Sequence, residues 1–414
     1  MTPEVKKRID QIRNGIVPEG YKKGKLGIVP GEWDEIPFST LFTSTSDYTD
    51  NLHQYPLYSL TIEDGITAKT ERYERSHLVK KDNSYKVVRP NDYAYNPMNI
   101  RFGAVARHKG DIPVAVSGYY DIFTTVHKSD LVFMDSFLTC GPMITYYNKV
   151  STGSLIEKQR VHFSDFLEFS LALPPLEERK KIAEILTTQD KAIELERQRI
   201  DEILKVKQFF LGKMFPKKGQ AVPEIRFKGF TGVWEQRKFE DIAVRSSTIS
   251  SESGLPRVEY EDIISGTGRL NKDIFAKESD KTGIVFYKGD VLYGKLRPYL
   301  QNWLLPLFNG IAVGDFWVLR PQNTDSSFLY RLIQNRQFDE VANQSTGTKM
   351  PRADWKLVSK TEFFIPSTID EQVAIGTYFE QLDHLITLHQ RKLEEEKEKK
   401  KALMQLLLTG IVRV

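Results

Sequence analysis

Cysteine is nearly absent from this sequence: Cys140 is the single one among 414 residues. An intramolecular disulfide therefore cannot form, and no cluster of thiolates can hold zinc. The seven histidines show no paired metal spacing, because His384 and His389 lie five residues apart rather than the four that place two ligands on one helix face. The sequence thus predicts neither a disulfide framework nor a metal site.

Long apolar runs are lacking as well. The most apolar window, WLLPLFNGIAVGDFWVL from residue 303, is interrupted by Pro306, Asn309 and Asp315. It is therefore a poor membrane span, which needs about 20 consecutive apolar residues. The first residues, MTPEVKKRIDQIRNG, contain no apolar signal core. We expect no membrane association and, by default, a cytoplasmic location.

Catalytic motifs are incomplete. GDVLYGKL (289–296) matches the opening of a phosphate-binding loop, but Leu296 replaces the Ser or Thr that would hold magnesium, and Pro298 disfavours the required helix. YNPMN (95–99) lacks the second proline and the aromatic of the adenine-methyltransferase motif. The carboxylates stand in no recognisable nuclease arrangement. We therefore expect that this chain binds no cofactor and is not an enzyme by itself.

The composition is that of a globular protein. Hydrophobic residues make up 40% and charged residues 28% of a chain long enough for two or three domains. The formal net charge of +4 permits an anionic partner without demonstrating one.

The chain contains an internal duplication. GEWDEIPFSTL (31–41) and GVWEQRKFEDI (232–242) share a tryptophan followed by apolar residues at the same two spacings. Three further matches follow in the same order: NDYAYN (91–96) with GDVLYG (289–294), STGS (151–154) with STGT (345–348), and ALPPLEE (172–178) with FIPSTIDE (364–371). Four matches in one order indicate two related halves.

Each half begins with a mixed segment that is rich in Tyr, Phe, Val, Gly and Pro. Short strand-like runs such as TGIVFYKGDVLYG alternate with turn residues, which predicts two α+β domains, at 27–172 and 218–365. In the second domain SSFLYRLIQNRQFDEVANQ (326–344) predicts one helix.

A long amphipathic helix follows each domain, at 173–217 and 366–414. Apolar residues recur at heptad spacing and charge fills the opposite face, which is typical of two helices packed along an apolar seam. Pro175 suits a first helical turn, and Thr368 with Glu371 fits a capping box. The predicted seam residues are Ile182, Leu186, Ile193 and Ile200 in the first helix and Ile375, Phe379, Ile386 and Leu393 in the second. Flanking apolar positions are left open for partner proteins.

The two ends of the chain resemble each other. RNGIV (13–17) is similar to LTGIV (408–412), at the end of the second helix. If the halves are related by a pseudo-twofold axis, the N-terminal segment 1–26 packs near the end of the C-terminal helix.

Two domains that are each followed by a proline-led helix resemble the specificity subunit of type I restriction–modification enzymes. The resemblance covers nearly the whole chain and is strongest in LALPPLEERKKIAEIL and FFIPSTIDEQVAIGTYF, with STGS and STGT upstream. Arg179 and Ser367 depart from the family pattern of Glu-Glu-Gln and a second proline. The resemblance implies two pseudo-twofold-related target-recognition domains, joined by two long antiparallel coiled-coil helices that act as a conserved spacer.

The family resemblance also implies the partners. The chain would read a bipartite, asymmetric site in double-stranded DNA, one half per domain. Two modification subunits would transfer methyl groups from S-adenosylmethionine to adenine, and restriction subunits with ATP and Mg would translocate and cleave DNA. A helix of about 35–40 residues, roughly 50–60 Å long, would hold the two domains about one DNA turn or somewhat more apart.

Candidate DNA contacts are polar, basic or aromatic residues near the repeated motifs, since base edges and phosphates are read by such side chains. In the first domain they are Asn96, Asn99, Arg101, Arg107, His108, Lys109, Ser151, Thr152 and Gly153. In the second they are Lys295, Arg297, Tyr299, Ser345, Thr346, Gly347, Thr348, Lys349 and Arg352. The alternative for each basic residue is a solvated surface charge. The two STG segments either donate backbone N–H groups to phosphate or form tight turns.

Three other functions compete with this interpretation. They are the recognition arm of a fused restriction–methylation enzyme, a structural coiled-coil protein and a nucleotide-dependent enzyme. Leu296 argues against the last of these. Salt-dependent binding of duplex DNA distinguishes a recognition subunit from the latter two.

Overall fold

The computed structural model describes residues 2–69, 84–155, 159–217, 219–276, 279–344 and 350–414. The chain forms two compact units: unit 1 comprises residues 1–195 and 393–414, and unit 2 comprises residues 196–392. Both boundaries fall inside long helices, whereas the sequence analysis assigned each helix to a segment of its own. Helices and strands are mixed in both units, so the prediction of an α+β fold is confirmed.

Unit 1 contains short strands and helices that precede the first long helix. They are α1 (Pro3–Arg13), β1 (Tyr21–Gly24), β2 (Gly27–Pro30), β3 (Asp34–Pro37), α2 (Phe38–Leu41), β4 (Phe42–Thr45), β5 (Tyr48–Thr49), β6 (Tyr58–Thr61), β7 (Gly65–Ala68), β8 (Tyr85–Val88), β9 (Tyr93–Tyr95), β10 (Val105–Arg107), β11 (Val114–Ser117), β12 (Asp121–Thr125), α3 (Leu131–Phe137), α4 (Gly141–Val150), α5 (Phe163–Leu167), β13 (Ser170–Leu173) and α6 (Leu176–Lys213). Its main sheet has the order β10-β9-β12-β4, and a second sheet has the order β11-β8-β5. The unit also receives the end of the second long helix.

Unit 2 has a similar order of elements after α6, without counterparts of α1, β1 and β2 among its described residues and with one more strand before its next helix. The elements are β14 (Glu235–Lys238), α7 (Phe239–Ile242), β15 (Ala243–Ser246), β16 (Ile249–Ser250), β17 (Arg257–Glu259), β18 (Ile263–Ile264), β19 (Arg269–Leu270), β20 (Gly283–Phe286), β21 (Val291–Gly294), β22 (Trp303–Leu304), β23 (Gly310–Val313), β24 (Phe316–Pro321), α8 (Ser326–Leu332), α9 (Arg336–Ala342), α10 (Trp355–Lys360), β25 (Glu362–Ile365) and α11 (Ile369–Leu407). Its sheets have the orders β15-β24-β21-β22 and β16-β20-β23-β17.

The duplication seen in the sequence is a duplication of topology. The consecutive elements β3, α2 and β4 have the same lengths as β14, α7 and β15, respectively. β3 pairs with β13 immediately before α6, and β14 pairs with β25 immediately before α11. Each long helix is therefore entered from a strand that also holds the beginning of its domain.

One predicted helix is wrong in extent. The segment 326–344 forms two helices, α8 and α9, rather than one. Asn335 separates them, because its side-chain carbonyl accepts the backbone N–H of Phe338 at 2.8 Å and starts a new helix. A second N-cap of this kind, Asp325, accepts the N–H of Phe328 at the start of α8.

The cores are aromatic in both units. In unit 1 Phe38 and Phe166 meet edge to face at 5.1 Å between ring centroids, and Tyr93 stacks on Phe123 at 5.0 Å. In unit 2 Phe239 packs against Phe338 at 5.2 Å. Burying such a side chain contributes about 1.5–3 kcal/mol, so these clusters are the main stabilisation of each unit.

The predicted seam residues divide into three groups. Ile182 and Leu186 are buried in the core of unit 1 together with Leu407 of α11, and Ile375 and Phe379 are buried in the core of unit 2. Ile193 and Ile386 are also buried, whereas Ile200 and Leu393 are half-buried. The first two predicted seam residues of each long helix thus pack in the core of a domain as well as along the helix.

Polar contacts join α6 to α11 within each unit. In unit 1 Lys400 pairs with Asp190 at 2.6 Å, and in unit 2 Lys207 pairs with Asp383, also at 2.6 Å. These pairs are copies of one another, since 207 and 400, like 190 and 383, are positions 193 residues apart. A long helix in this protein is therefore held to its neighbour by repeated ion pairs.

Each helix entry is fixed by a buried glutamate that binds an arginine and a tryptophan, a group we call the brace. In unit 1 the two carboxylate oxygens of Glu178 accept from Arg413 at 2.5 and 2.7 Å, and the indole N–H of Trp33 donates at 3.2 Å. In unit 2 Glu371 accepts from Arg226 at 2.6 and 2.7 Å and from Trp234 at 3.2 Å.

The predicted capping box is only half formed. The N–H of Glu371 donates to the hydroxyl of Thr368 at 3.4 Å, but the Glu371 carboxylate is bound to the brace instead of returning to Thr368. Residues of the N-terminal segment contact residues beyond α11: Arg8 donates to the carbonyl of Ile411 at 2.8 Å, and Tyr21 to that of Gly410 at 2.7 Å.

Candidate nucleic-acid interface

The same turn occurs in both units. It follows the strand of the main sheet that comes second along the chain, β9 in unit 1 and β21 in unit 2. After β9 a 3₁₀ turn spans Ile100–Phe102, and after β21 an equivalent turn spans Pro298–Leu300. Each turn ends in the left-handed region, at Gly103 (φ 94°) and at Gln301 (φ 54°). Glycine adopts this conformation without strain, whereas glutamine rarely does, so the turn of unit 2 is the more constrained.

A second segment crosses each turn and places an arginine beside it. The N–H of Val161 donates to the carbonyl of Pro97 at 3.1 Å, and the N–H of Ala353 donates to that of Lys295 at 2.9 Å. Arg160 and Arg352 therefore occupy equivalent positions. Arg352 was predicted as a DNA contact, but Arg160 was not. The flanking residues, KQRVH and MPRADW, share too little to reveal the match.

In unit 1 this surface gathers Asn99, Arg101, Thr152 and Arg160. Asn99 is exposed, and Thr152 and Arg160 exchange two backbone hydrogen bonds of 2.9 Å. Arg101 is buried, donates to the side chain of Gln159 at 2.6 Å and lies 4.9 Å above the ring of Phe102. Arg101 thus supports the turn, while the exposed side chains beside it face solvent.

Asn96 supports the same turn from inside. It is buried, and its side-chain carbonyl accepts the N–H groups of Met98 and Asn99 at 3.1 and 3.3 Å. This is an Asx turn, in which the side chain replaces a backbone acceptor. The geometry gives Asn96 a role in shaping the surface rather than a free edge for a base.

Two backbone N–H groups of the STGS segment are bonded within the protein. The N–H of Ser151 donates to the carbonyl of Tyr147 at 2.9 Å, and that of Thr152 to the carbonyl of Arg160. These two amides are occupied within the protein. Gly153 is exposed with φ 143°. The corresponding residues of unit 2, Ser345, Thr346, Gly347, Thr348 and Lys349, lie outside the described residues.

Arg107, His108 and Lys109 line a different place, a cavity of about 560 Å³ between β7 and β10 whose lining includes neither Asn99 nor Arg160. Arg107 makes a bidentate ion pair with Asp135 at 2.9 and 2.8 Å, and Lys109 lies 3.4 Å from the same carboxylate. His108 is buried, with a ring nitrogen 2.7 Å from the carbonyl of Ile112. Of the three, Lys109 extends furthest into solvent.

In unit 2 the predicted residues Lys295 and Arg352 lie together. Lys295 and Arg352 both pair with Asp315, at 3.5 and 3.1 Å. Burial raises the pKa of Asp315, but the hydrogen bond from Arg352 and the charges of Arg352 and Lys295 outweigh it and lower the pKa. The carboxylate therefore stays ionised and holds both cations at this surface.

Arg297 and Tyr299 complete the surface of unit 2. Arg297 adopts a left-handed conformation (φ 48°), and its N–H donates to the carbonyl of Pro351 at 2.7 Å. Such strain in a residue other than glycine is retained where the surroundings fix it, and it concentrates at functional sites. Tyr299 is 56% exposed and offers a ring to a ligand.

The described residues give no sign of a catalytic centre. Among them no group of three or more His, Cys, Asp and Glu side chains is arranged to hold a metal ion. Burial raises the pKa of the Cys140 thiol to about 12, so this cysteine is not a nucleophile near neutral pH. In the same part of the chain, no helix is long and apolar enough to cross a membrane.

Two specificity subunits and one putative specificity subunit are similar in sequence. The type I restriction enzyme MjaVIII specificity subunit of Methanocaldococcus jannaschii is 24% identical over 276 residues, which cover 60% of this chain and 63% of that protein. The type I restriction enzyme EcoDI specificity subunit of Escherichia coli is 25% identical over 270 residues, 58% of this chain and 59% of that protein. The matched region thus spans less than two thirds of both relatives. The putative MjaX specificity subunit of M. jannaschii is 21% identical over 99% of this chain and 93% of its own length.

Two solved structures share the fold. One concerns the complex assembly and conformational transition of the type I R-M system; it has a TM-score of 0.56 at 15% identity and covers 93% of this chain and 99% of its own. The other is the type I restriction–modification S subunit from M. genitalium, with a TM-score of 0.53 at 12% identity, covering 91% and 96%. The family described as type I restriction modification DNA specificity domain matches residues 137–205 and 212–398, more than half of the sequence. The chain belongs to this family of type I restriction–modification specificity proteins.

Proposed function

We propose that the chain is the DNA-recognition subunit of a type I restriction–modification complex and reads a bipartite, asymmetric site. One observation carries the proposal: the two units share a turn but present different side chains on it. Unit 1 offers Asn99 and Arg160, whereas unit 2 offers Arg297, Tyr299 and Arg352. Two domains that share one architecture but differ in their recognition surfaces suit a DNA site whose two halves differ.

The two units would act as target-recognition domains, and α6 and α11 as antiparallel spacer helices. α6 has 38 residues and α11 has 39, so each is about 57 Å long at about 1.5 Å per residue. The gap between the two half-sites would then be set by helix length. The pseudo-twofold relation of the two domains remains a prediction.

The chemistry would belong to the partners. Two modification subunits would methylate adenine with S-adenosylmethionine, and restriction subunits would use ATP and Mg to translocate and cleave duplex DNA. This chain would bind double-stranded DNA in the cytoplasm and hold no cofactor. Its basic side chains suit phosphates, which set register, while sequence is read at base edges in the grooves.

Substitutions at Arg160 and Arg352 distinguish a side chain that binds a DNA base from one that binds a phosphate. In the first test the chain is co-expressed with its modification subunit, and methyladenine is mapped by single-molecule sequencing. We expect a split motif with a constant unread gap. Arg160→Ala should alter only one half of it and Arg352→Ala only the other, each by about 5- to 150-fold if the side chain binds a base (about 1–3 kcal/mol). Lys6→Ala, a change of an exposed lysine on α1, is the control.

Binding measurements complete this test. A side chain that binds phosphate instead should weaken DNA binding for all sequences alike, with a salt slope lower by about one. Equal loss of discrimination at both half-sites in either variant would contradict the division between the units. The absence of salt-dependent binding to duplex DNA would favour a structural coiled-coil protein instead.

A further inference from the structure

The connection between β23 and β24 in unit 2 places a carboxylate beside two cations. It consists of Gly314 and Asp315. Gly314 has φ 98°, a conformation that glycine adopts without strain. The carbonyl of Asp315 accepts the N–H of Lys295 at 2.8 Å, and the carbonyl of Lys295 accepts the N–H of Ala353 at 2.9 Å. Backbone hydrogen bonds therefore hold Asp315, Lys295 and the segment that carries Arg352 next to one another.

The Asp315 carboxylate occupies one edge of the Arg352 guanidinium. Nη2 of Arg352 donates to Oδ2 at 3.1 Å, and Nε donates to Oδ1 at 3.5 Å. A guanidinium carries its N–H donors in a planar fork, so this contact leaves the end formed by Nη1 and the second N–H of Nη2. No residue that the structure describes accepts a hydrogen bond from Nη1, and the side chain is 53% exposed. Arg352 therefore presents two parallel N–H groups to solvent from a fixed position.

The carboxylate makes this end of Arg352 better suited to a DNA base than to a phosphate. A phosphate bound there would bring its negative charge close to the ionised Asp315 and be repelled by it. Guanine instead presents two uncharged acceptors, O6 and N7, in the major groove, and the two parallel N–H groups of an arginine match them. Adenine has an amino donor in place of O6, for which arginine offers no acceptor. The base that fits is therefore guanine.

Unit 1 differs from unit 2 at both positions of this pair. Arg160 is the counterpart of the unit 2 arginine, and among the described residues no carboxylate pairs with its side chain. The two motif tyrosines, Tyr95 and Tyr293, give the counterpart of the carboxylate. Two residues before the strand partner of each tyrosine lie Tyr119 and Asp315, respectively. The arginine held by a carboxylate is thus a feature of unit 2, so it bears on one half of the DNA site.

We infer that Arg352 binds the major-groove edge of a guanine in the half-site read by unit 2, and that Asp315 positions the guanidinium for this contact. The inference rests on the proposed function. Asp315 acts through Arg352: it fixes the fork before DNA arrives, so less side-chain freedom is lost on binding. The half-site of unit 2 therefore contains a G·C pair whose recognition depends on both residues.

The first experiment changes the DNA and leaves the protein intact. The complex of this chain with its modification subunit is bound, at fixed salt, to duplexes that contain the mapped split motif. Each guanine of the motif is replaced in turn by 7-deazaguanine, which keeps Watson–Crick pairing but lacks N7. At one position the wild-type complex should bind about 2- to 12-fold more weakly, the effect of one lost hydrogen bond. The Arg352→Ala complex should bind the natural and the substituted duplex alike.

The second experiment tests the positioning role of Asp315. Asp315→Asn keeps the size of the side chain but removes the charge that holds Arg352. Discrimination between G·C and A·T should fall by about 2- to 12-fold at the same base pair and at no other. Since the change also adds a positive charge to the complex, the readout is discrimination between duplexes and not total affinity. Glu240→Gln is the matched control: it removes the carboxylate that pairs with Lys360 at 2.7 Å in the same unit and should keep every base preference.

Each contrary outcome has its own meaning. Arg352→Ala that weakens binding to all sequences alike would assign the arginine to a phosphate and overturn the inference. A loss of discrimination at a different base pair in Asp315→Asn would show that the carboxylate itself binds a base, as carboxylates do with the amino group of cytosine. If the wild-type complex neither binds duplex DNA nor directs methylation, both proposals fail. If it methylates a split motif in which no guanine responds to 7-deazaguanine, this inference alone fails, whether or not any variant folds.

Discussion

The braces of the two units have the same geometry but draw their residues from different parts of the chain. In unit 2 Arg226, Trp234 and Glu371 all come from one continuous stretch. In unit 1 the tryptophan is residue 33 and the arginine is residue 413, which also pairs with Glu32. The structure therefore repeats a spatial arrangement, and the order of the parts along the chain is permuted between the copies.

A second difference lies one position after each brace glutamate. Arg179 of unit 1 corresponds to Gln372 of unit 2, 193 residues later. Arg179 forms a buried ion pair with Asp130 at 2.8 Å, whereas Gln372 accepts the backbone N–H of Asp325 at 2.8 Å. Asp130 and Asp325 both precede the first helix after the main sheet. The departure from the family pattern at Arg179 is thus matched by a change in how its partner is bound.

The largest effect should come from making unit 1 resemble unit 2 at this position. Arg179→Gln leaves the carboxylate of Asp130, itself 4% exposed, buried without its cation. We expect a loss of about 3–5 kcal/mol in the free energy of unfolding, measured with urea. Asp130→Asn combined with Arg179→Gln should recover most of this loss. A single variant as stable as the wild type would show that the ion pair is not what fixes this contact.

The braces should differ in strength by a smaller amount. Arg226→Ala removes two hydrogen bonds from Glu371 and should cost about 2–3 kcal/mol. Arg413→Ala should cost about half of that, because the Arg413 side chain is 33% exposed and that of Arg226 only 14%. Hydrogen exchange of each unit reports the two losses separately. Arg→Lys at both positions is the control that keeps charge but loses the bidentate geometry; equal losses for the two alanine variants would remove the distinction.

The smallest expected change is in the pH dependence of stability, and it concerns an ion-pair cluster between α6 and α11 within unit 2. Glu196 and His389 are 193 residues apart and pair with each other at 2.7 Å, and Lys392 and Arg199 pair with Glu196 at 2.9 and 2.7 Å. Burial raises the pKa of Glu196, but the hydrogen bonds from His389 and Lys392 and the charges of Lys392 and Arg199 outweigh it and lower the pKa to about 2.

The sign of the pH dependence follows from that pKa. The folded pKa of Glu196 lies below the unfolded value of about 4.3. Its stabilisation is therefore complete above about pH 5 and is lost as the pH falls towards about 2. Glu196→Gln should remove this part of the acid sensitivity, measured by urea unfolding at pH 7, 5 and 3. An unchanged pH profile in the variant would show that the pair contributes nothing to it.

The periodic and repeated features of this chain could be predicted from its sequence. The heptad spacing predicted helices at 173–217 and 366–414, and they span Leu176–Lys213 and Ile369–Leu407. The repeated tryptophan motif predicted related domains, and the strand that follows the tryptophan pairs in both units with the strand that enters the long helix. These features are local or recur at a fixed distance, so a single sequence reveals them.

Contacts between distant residues left no such signal. Nothing near Arg413 indicates that it binds Glu178, because the contact joins positions 235 residues apart. Arg160 was missed because its equivalence to Arg352 depends on backbone pairing with the turn after the second strand of the main sheet, not on shared neighbours. The break at Asn335 was missed because the apolar spacing continues through it, while its side chain supplies a cap.

The permuted brace has a consequence for synthesis on the ribosome. Residues 196–392 are translated as one stretch, so unit 2 has all its residues before residues 393–414 exist. Unit 1 begins earlier but waits for Arg413 to reach Glu178. Domains generally fold as units during translation. Unit 1, whose translation begins first, would therefore complete its folding last. Until Arg413 is translated, Glu178 would lack its arginine partner.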